Sequence, residues 1–232
     1  MNDLVVASNV VVARGRQVLL DGLSLTLAVG CTALVGDSDS GKSVFLKACL
    51  GHVGRTGGEL AVCDLDPGRK SSAIARLVTY VPKERVFEPH LTIRSNVEFL
   101  LRLAGGPMPS RPDIERALRD ADVPDRDISK NSAQCSEAIV IRSWLALAQL
   151  RGSLLILLDE PTSHLNSAEA SELAAQFRER VAESTALLVA TADGRFAEEC
   201  ASSVHRLESG RVVSKMRLPQ RPFGQKATVR FQ

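Results

Sequence analysis

The chain has 232 residues, a formal net charge of +2 and 44% hydrophobic residues. This length accommodates one larger domain or a core with an inserted subdomain. No apolar window of about 18 residues occurs, so we expect no membrane-spanning helix. The start of the chain lacks the basic flank and cleavage site of a signal peptide. The five cysteines are scattered without a C-x-x-C pair, which disfavours disulfides and a zinc site and predicts reduced thiols in the cytoplasm.

The first predicted elements are antiparallel strands. Within residues 4–29, apolar and polar side chains alternate, for example at Val10 and Val12 and at Leu23 and Leu25. This period of two is typical of strands that are buried on one face.

A glycine-containing loop follows the next predicted strand. The apolar run Thr32–Val35 predicts a buried strand, Val44–Leu50 predicts a helix, and GDSDSGKS lies between them. This sequence matches G-x-x-x-x-G-K-[ST], a phosphate-binding pattern that requires this strand–loop–helix context. Glycine lets the backbone approach phosphates, and the backbone N–H groups and the positive helix end face the anion. Lys42 can reach the β- and γ-phosphates, and Ser43 can offer its hydroxyl to magnesium. The predicted nucleotide-binding residues of the loop are Gly36, Asp37, Ser38, Asp39, Ser40, Gly41, Lys42 and Ser43.

Most of the middle of the chain is predicted to be helical. Leu77–Val81 predicts a short strand, and residues 93–150 then have mainly helical patterns, punctuated by polar, glycine- and proline-containing loops. The predicted helices are Asn96–Ala104, Pro112–Asp122, Ser136–Leu150 and Ser167–Glu183, and further strands are predicted at residues 154–159 and 185–191.

Two adjacent acids follow the strand predicted at residues 154–159. Leu155–Leu158 carries no charge, as expected for a strand buried on both faces of a parallel sheet. Asp159 is therefore expected at the carboxyl end of the strand, where open α/β sheets bind their ligands. It can hold Mg²⁺, a hard cation that prefers oxygen ligands. Glu160 is the predicted catalytic residue, because it can act as general base on an attacking water.

Three further segments carry a family resemblance. Leu158–Asn166, with the sequence LDEPTSHLN, resembles the LDEPTSxLD stretch of ATP-binding cassette (ABC) transporter nucleotide-binding domains. Asp21–Leu25 resembles the opening strand of that family, and Gly210–Val213 resembles its closing strand. The likeness runs from about Leu4 to Val213 in the family's order and spacing.

The resemblance implies an α/β fold with a P-loop NTPase (RecA-like) core, an N-terminal antiparallel β subdomain and an inserted α-helical subdomain at about residues 85–150. It implies a single ABC ATPase domain over residues 1–213, with ATP and Mg²⁺ as cofactors. Membrane permease subunits and a second ABC subunit, in a homo- or heterodimer, are the implied partners, on the cytoplasmic face of the membrane. No nucleic-acid partner is expected.

Residues 214–232 are predicted to form a basic C-terminal tail. Between Arg211 and Gln232 there are six basic residues and no acid. A solvated, partly disordered tail is one interpretation. Contact with anionic lipid or with an acidic partner surface is the other.

The position of the family's LSGGQ signature is altered. The spacing from Asp159 places it at Cys135–Ile139, where Ser136 is retained and Glu137 and Ala138 replace the two glycines. In the family, the signature of a second subunit faces the γ-phosphate. An acid such as Glu137 stabilises the first turn of a helix by about 0.3–1 kcal/mol, but its carboxylate repels a phosphate.

Five other positions depart from the family. Lys83 replaces a glutamine that offers an oxygen to magnesium, and an ammonium has no acceptor. Ala192 replaces the switch histidine that contacts the γ-phosphate. Arg14 lies near the position of the aromatic residue that stacks on adenine, and it could stack instead. Val44 lacks a hydroxyl near the α-phosphate, and Asn166 keeps an acceptor but loses the charge that ends the LDEPTSxLD stretch.

Three functions are compatible with these patterns. The first is an ATP-hydrolysing transporter subunit that works with a separate permease, supported by the phosphate loop and the paired acids. The second is a degenerate ATP-binding subunit with a structural or regulatory role, supported by the altered positions. The third, an ABC protein that acts on nucleic acid, is disfavoured because the chain has no long coiled coil or second cassette. We favour the first with weakened hydrolysis and keep the second as the alternative.

Overall fold

The computed structural model describes residues 3–181 and 185–218 of the chain. Its β-strands are β1 (Val5–Arg14), β2 (Gln17–Leu27), β3 (Cys31–Val35), β4 (Gly57–Val62), β5 (Val78–Val81), β6 (Leu155–Asp159), β7 (Ala186–Thr191), β8 (Ser203–Glu208) and β9 (Arg211–Arg217). Its α-helices are α1 (Lys42–Cys49), α2 (Pro67–Leu77), α3 (Ile93–Ala104), α4 (Arg111–Asp120), α5 (Asp125–Ile128), α6 (Glu137–Leu150), α7 (Ser167–Val181) and α8 (Gly194–Cys200). In these ranges, no helix has the length and apolar character needed to cross a membrane.

The smaller sheet is antiparallel and contains the N-terminal strands in the order β2-β1-β4. In the β1–β2 hairpin, Val5 lies opposite Leu27 and Val12 lies opposite Leu20, and all four side chains are buried. The antiparallel strands predicted from the alternating side chains of residues 4–29 are therefore confirmed. The third strand, β4, was not predicted, since its sequence begins with two glycines and lacks a strong alternation.

The larger sheet has the strand order β5-β6-β7-β3-β8-β9. Five strands are mutually parallel, namely β5, β6, β7, β3 and β8, and β9 is antiparallel to β8. In this register Val35 pairs with Thr191, and Asp159 pairs with Ala190. The carboxyl ends of β3, β6 and β7 therefore meet at one edge, and the residues that follow them are brought together there. This arrangement confirms the predicted α/β core with an antiparallel subdomain.

Apolar side chains cover both faces of the larger sheet, which explains the uncharged sequence of its strands. Along β6, Leu155 and Leu157 belong to a core shared with α1 and the small sheet. Ile156 and Leu158 point to the opposite face and belong to a core shared with α3, α4, α6, α7 and α8. The strand is thus held from both sides, so that its carboxyl end is fixed in position.

The helices α3 to α6 lie between β5 and β6 in the chain, within the predicted insertion. Thr92 caps α3 and Ser110 caps α4, each accepting a hydrogen bond from the backbone N–H three residues ahead. These caps satisfy donors at the helix starts. Because of them α3 begins three residues before the predicted start, and α4 begins one residue before it.

Several elements differ from the sequence prediction. The helices α2, α5 and α8 were not predicted, and α5 lies within residues 123–132, which were predicted to be a loop. The helix α7 is described to Val181, so that its predicted end at Glu183 lies outside the described residues. The strand β9 continues to Arg217 and pairs with β8. The prediction that the tail starts at residue 214 is therefore wrong for residues 214–217, which are held by ladder hydrogen bonds. Residues 219–232 of the predicted tail lie outside the described residues.

Candidate nucleotide-binding site

The phosphate loop, defined here as residues 36–43, joins β3 to α1. Gly36 continues from β3 and donates a backbone hydrogen bond to Thr191 O on β7 at 3.3 Å. A Cβ atom at Gly36 would lie 2.3 Å from Leu207 O. Gly41 is the N-cap of α1 with φ 103°, a conformation that other residues rarely adopt. Both glycines of the pattern are therefore required by the backbone of this fold.

Hydrogen bonds within the chain shape the centre of the loop. Ser40 donates to Asp37 O through its backbone nitrogen at 3.1 Å and through its hydroxyl at 2.8 Å. Gly210 N, in the turn between β8 and β9, donates to Ser40 O at 2.9 Å. The side chains of Asp37 and Asp39 are exposed, so two carboxylates stand at the mouth of the loop.

Lys42 is buried under the loop, with 2% of its surface exposed. Its Nζ donates to Gly36 O at 2.6 Å and to Asp37 O at 2.8 Å. It also forms an ion pair with Glu160 Oε1 at 3.1 Å. An ammonium has three protons, and each of them has an acceptor here. A phosphate ligand would therefore replace acceptors that the chain already provides.

Asp159 is the point where the two predicted motifs meet. Ser43, in the first turn of α1, donates its hydroxyl proton to Asp159 Oδ1 at 2.8 Å, although 116 residues separate them. Tyr80, on β5, donates to Asp159 Oδ2 at 3.0 Å. Burial and the nearby Asp159 carboxylate raise the pKa of Tyr80 well above its usual range, so this hydroxyl stays protonated. The carboxylate itself is 3% exposed.

Glu160 lies one residue beyond the end of β6, where its backbone turns sharply. Its φ is 49°, and its backbone nitrogen donates to Ala190 O at 2.8 Å. Its Oε2 accepts a hydrogen bond from Ala192 N at 2.9 Å, while Oε1 contacts Lys42. Both carboxylate oxygens of the predicted general base are therefore engaged. Ala192 lacks a side-chain donor, but its backbone N–H still contacts the site.

The donor set around Ser43 and Asp159 consists of oxygen atoms and fits a hard cation such as Mg²⁺. Across the described ranges, no group of three or more His, Cys, Asp and Glu side chains is placed to hold a metal ion on its own. This is compatible with Mg²⁺, which often takes one or two protein oxygens and completes its shell with phosphate and water. The hydroxyl–carboxylate pair is suited to that use.

Glu137 of the altered signature and Lys83 line a small cleft beside the site, and Trp144 and Glu160 line it as well. Ser136 is the N-cap residue of α6, without a side-chain capping bond, and Glu137 lies in the first turn. Ala138 is buried. The predicted helix start is confirmed to within one residue.

Arg85, in the loop after β5, contacts the start of α6. Its Nη1 lies 3.5 Å from Glu137 Oε2. Its Nη2 donates to the backbone carbonyls of Ser132 and, at 3.2 Å, Cys135. The charge of Glu137 is therefore compensated within the chain, and the backbone before the helix is tied to the loop after β5.

The remaining predicted positions lie outside this cluster. Arg14 is exposed at the end of β1, in the hairpin whose second strand brings Leu19 O close to Gly41. Val44 packs partly buried against the apolar core of α1. Asn166 caps α7, because its Oδ1 accepts from Ala168 N and Glu169 N at 3.0 Å each. An amide does this capping as well as an acid does.

Two contributors to this region were missed by the sequence analysis. Tyr80 was noted only as part of an apolar strand, and Arg85 was not considered. The chain contains a single tyrosine, and a lone polar tip on an otherwise apolar strand that precedes a ligand-binding edge is the signal that could have identified it. Nothing local marks Arg85, since its partners lie 47 to 52 positions away.

Comparison with known proteins identifies the family. The family model of the ABC transporters matches residues 20–163, which include the phosphate loop, Asp159 and Glu160. The chain belongs to the ABC transporter family. Within this family, the chain is 32% identical to a putative ABC transporter ATP-binding protein of Streptomyces avermitilis over 88% of its length. It is 26% identical, over 80% of its length, to an ABC transporter ATP-binding/permease protein of Mycobacterium tuberculosis.

This member of the ABC transporter family spans only part of the length of these relatives, namely 36% of the Streptomyces protein and 22% of the Mycobacterium protein. Its fold is shared with a dimeric ATP-binding cassette that was solved in a post-hydrolysis state with ADP and Pi bound. That likeness has a TM-score of 0.75 at 24% identity and covers 93% of this chain and 99% of that structure. The cassette fold therefore extends across nearly the whole chain.

Proposed function

We propose that this member of the ABC transporter family is an ATP-binding subunit that powers or gates a separate membrane permease through Mg-ATP binding and slow hydrolysis. The hydrogen bond between Ser43 and Asp159, at 2.8 Å, carries the proposal. It joins the phosphate loop to the acidic end of β6, and the ion pair between Lys42 and Glu160 joins them a second time. Two distant motifs thus form one site for a phosphate–metal ligand.

Each group has a distinct role in this proposal. The backbone N–H groups of the phosphate loop and Lys42 bind the phosphates, and Ser43 and Asp159 hold Mg²⁺. When bound, Mg²⁺ would supply positive charge that neutralises the phosphates. Glu160 orients a water and accepts its proton once it is released from Lys42.

Slow hydrolysis is proposed because the groups around the terminal phosphate are changed or engaged. Glu160 must leave two partners, Lys42 and Ala192 N, before it can act as a base. Lys83 has no acceptor atom at the position where the family has a glutamine. The Ala192 side chain has no donor proton at the position where the family has a histidine. A transition-state donor of this kind contributes on the order of 10²–10³ in rate.

The engaged state of Glu160 also favours a second candidate function. If its two contacts persist with nucleotide bound, the chain would be a non-hydrolysing ATP-binding subunit with a structural or regulatory role in a heteromeric complex. The two candidates share the same binding site and differ only in whether Glu160 is released.

Partners follow from the family membership. We propose that the chain pairs with a second ABC subunit and docks on permease subunits at the cytoplasmic face of a membrane. The Mycobacterium relative is named as an ATP-binding and permease protein in one, which supports a working connection between the two activities. The substrate and the direction of transport belong to the permease and are not part of the proposal.

Binding of ATP is the first test. We expect Lys42→Ala to weaken Mg-ATP binding, measured by isothermal titration calorimetry, at least about 10-fold, since it removes a charge-assisted contact. Lys47→Ala is the matched control: Lys47 is exposed on the same helix, and its loss should leave the affinity unchanged. Circular dichroism of both variants checks that α1 is intact.

An unchanged affinity in a folded Lys42→Ala variant would show that the phosphate loop does not bind ATP. Steady-state phosphate release then separates the two candidates. A low turnover that Glu160→Gln abolishes supports slow hydrolysis, and no turnover with intact ATP binding supports the second candidate. Turnover of tens per second would contradict both.

A further inference from the structure

We infer that Tyr80 is a positioning residue for the proposed magnesium site, whose hydroxyl holds the Asp159 carboxylate in the orientation that metal binding requires. This inference rests on the proposed function, because it assigns a role to Tyr80 only in a site that binds Mg-ATP. Tyr80 itself is not among the groups that would contact the metal.

The sheet register explains how Tyr80 reaches Asp159. On the adjacent parallel strands, Tyr80 pairs with Leu157. Side chains two residues apart on a strand share a face, so Asp159 lies on the same face as Leu157 and Tyr80, one step closer to the carboxyl edge. The long phenol side chain covers that step, and its hydroxyl ends 3.0 Å from Asp159 Oδ2.

The two hydrogen bonds to Asp159 fix its rotation. Ser43 donates to Oδ1 from the α1 side, and Tyr80 donates to Oδ2 from the β5 side. Rotating the carboxylate about its Cβ–Cγ bond would break one or both bonds. Because Asp159 is only 3% exposed, water has little access to replace a lost hydrogen bond. The carboxylate is therefore held from both sides.

A fixed orientation of the Asp159 carboxylate is important for binding Mg²⁺ in particular. This ion requires near-ideal octahedral geometry with short metal–oxygen distances, so a rotating ligand carboxylate binds it less well. Groups that hydrogen-bond to a ligating carboxylate typically change metal affinity about 10–100-fold when they are removed. The Ser43 hydroxyl is itself a proposed ligand, which leaves Tyr80 as the holding group that does not contact the metal.

The phenol ring and the hydroxyl can be separated by substitution. The ring packs, half-buried, against the core that contains Leu155 and Leu157. Tyr80→Phe keeps this packing and deletes only the donor. Thr79→Val is the matched control, because Thr79 precedes Tyr80 on β5 and its hydroxyl bonds to Ser153 at 2.8 Å and to Arg151 at 3.0 Å, away from Asp159.

The test compares ATP dissociation constants with Mg²⁺ and with EDTA, measured by calorimetry for the wild type and both variants. The dissociation constant in EDTA divided by the constant with Mg²⁺ reports what the metal contributes. We expect Tyr80→Phe to lower this ratio about 10-fold, while the constant in EDTA stays within about twofold of the wild type. Thr79→Val should leave the ratio unchanged, although its midpoint of thermal unfolding falls.

Each other outcome has a defined meaning. An unchanged ratio in Tyr80→Phe, with normal Mg-dependent binding by the wild type, overturns the role of Tyr80 and leaves the proposed function intact. An equal loss in Tyr80→Phe and Thr79→Val also overturns it, since any disturbance of β5 would then suffice. A wild type that binds no ATP, or binds it without regard to Mg²⁺, overturns the proposed function and this inference together.

Discussion

The region formed by the phosphate loop and the end of β6 is organised differently from the region formed by the loop after β5 and the start of α6. In the first region, Lys42, Ser43 and Asp159 are brought together from distant parts of the chain. In the second, Arg85 compensates the charge of Glu137 and ties the backbone of the same segment. Both regions are satisfied by contacts within the chain, but only the first contains the groups that we propose to bind Mg-ATP.

If the proposed function holds, the groups that bind the nucleotide are distinct from the groups that respond to its terminal phosphate. Binding needs backbone N–H groups, an ammonium and oxygen ligands, and these follow from one strand–loop–helix unit and one strand end. A response to the terminal phosphate is proposed to need a hydrogen-bond donor at the position of Ala192 and an accessible helix start at the position of Glu137. A chain can keep the first set while the second set changes.

The largest expected effect comes from restoring the family's side chains at the two altered positions nearest Glu160, Ala192 and Lys83. In Ala192→His combined with Lys83→Gln, we expect ATP turnover to rise by about 10²-fold, the contribution of a single transition-state donor. Phosphate release measured over time, at saturating Mg-ATP, checks this. The binding affinity should change far less than the turnover.

Ala192→Leu combined with Lys83→Gln is the control, because leucine supplies bulk without a donor. If the histidine variant gains nothing over this control, the missing histidine does not limit turnover, and the proposed slow hydrolysis would then depend on the engagement of Glu160 by Lys42 and Ala192 N.

A smaller effect is expected inside the first region, where Asp39 places an exposed carboxylate at the mouth of the loop. Asp39→Asn removes a like charge near the phosphates, worth about 1 kcal/mol at a few ångströms in water. We therefore expect Mg-ATP to bind about 5-fold more tightly at low salt, as measured by calorimetry.

The gain in Asp39→Asn should shrink as salt is raised, since exposed charges are screened over about 10 Å at 0.1 M ionic strength. A gain that is independent of salt would mean that the carboxylate acts through the loop's conformation and not through its charge.

The smallest effect is expected for Glu137→Gln. The side chains of Arg85 and Glu137 are 32% and 19% exposed and lie 3.5 Å apart, and such partly exposed pairs contribute about 1 kcal/mol or less. Urea unfolding should show a loss of that size. A loss above about 2 kcal/mol would identify the pair as a main support of the second region, beyond what surface ion pairs contribute.

Much of the fold could be predicted because local patterns agree with it. The alternation in β1 and β2, the uncharged run of β6 and the glycines of the phosphate loop each depend on neighbours in sequence. The relation of Ser43 to Asp159 could also be anticipated, since parallel strands bring their carboxyl ends to one edge. The family resemblance added the order of the elements.

The remainder depends on contacts that no local pattern specifies. Arg85 reaches carbonyls some 50 positions away, and Tyr80 reaches Asp159 across 79 positions. The engagement of Glu160 depends on where Lys42 and Ala192 N lie in space. Asn166 was considered as a lost charge, whereas its amide serves as a helix cap. Each of these cases depends on where a side chain points in the folded chain.

Glu160 combines a strained backbone with an ion pair to the buried Lys42. A glutamate held at φ 49° lies in the left-handed region, which costs a residue with a Cβ atom of order 1 kcal/mol or more. Glycine or asparagine would relieve that strain, and either change would remove the carboxylate that contacts Lys42 and Ala192 N. The backbone strain of Glu160 and its ion pair with the buried Lys42 therefore act in opposite directions on folding stability, because removing the acid would leave that lysine without its charged partner.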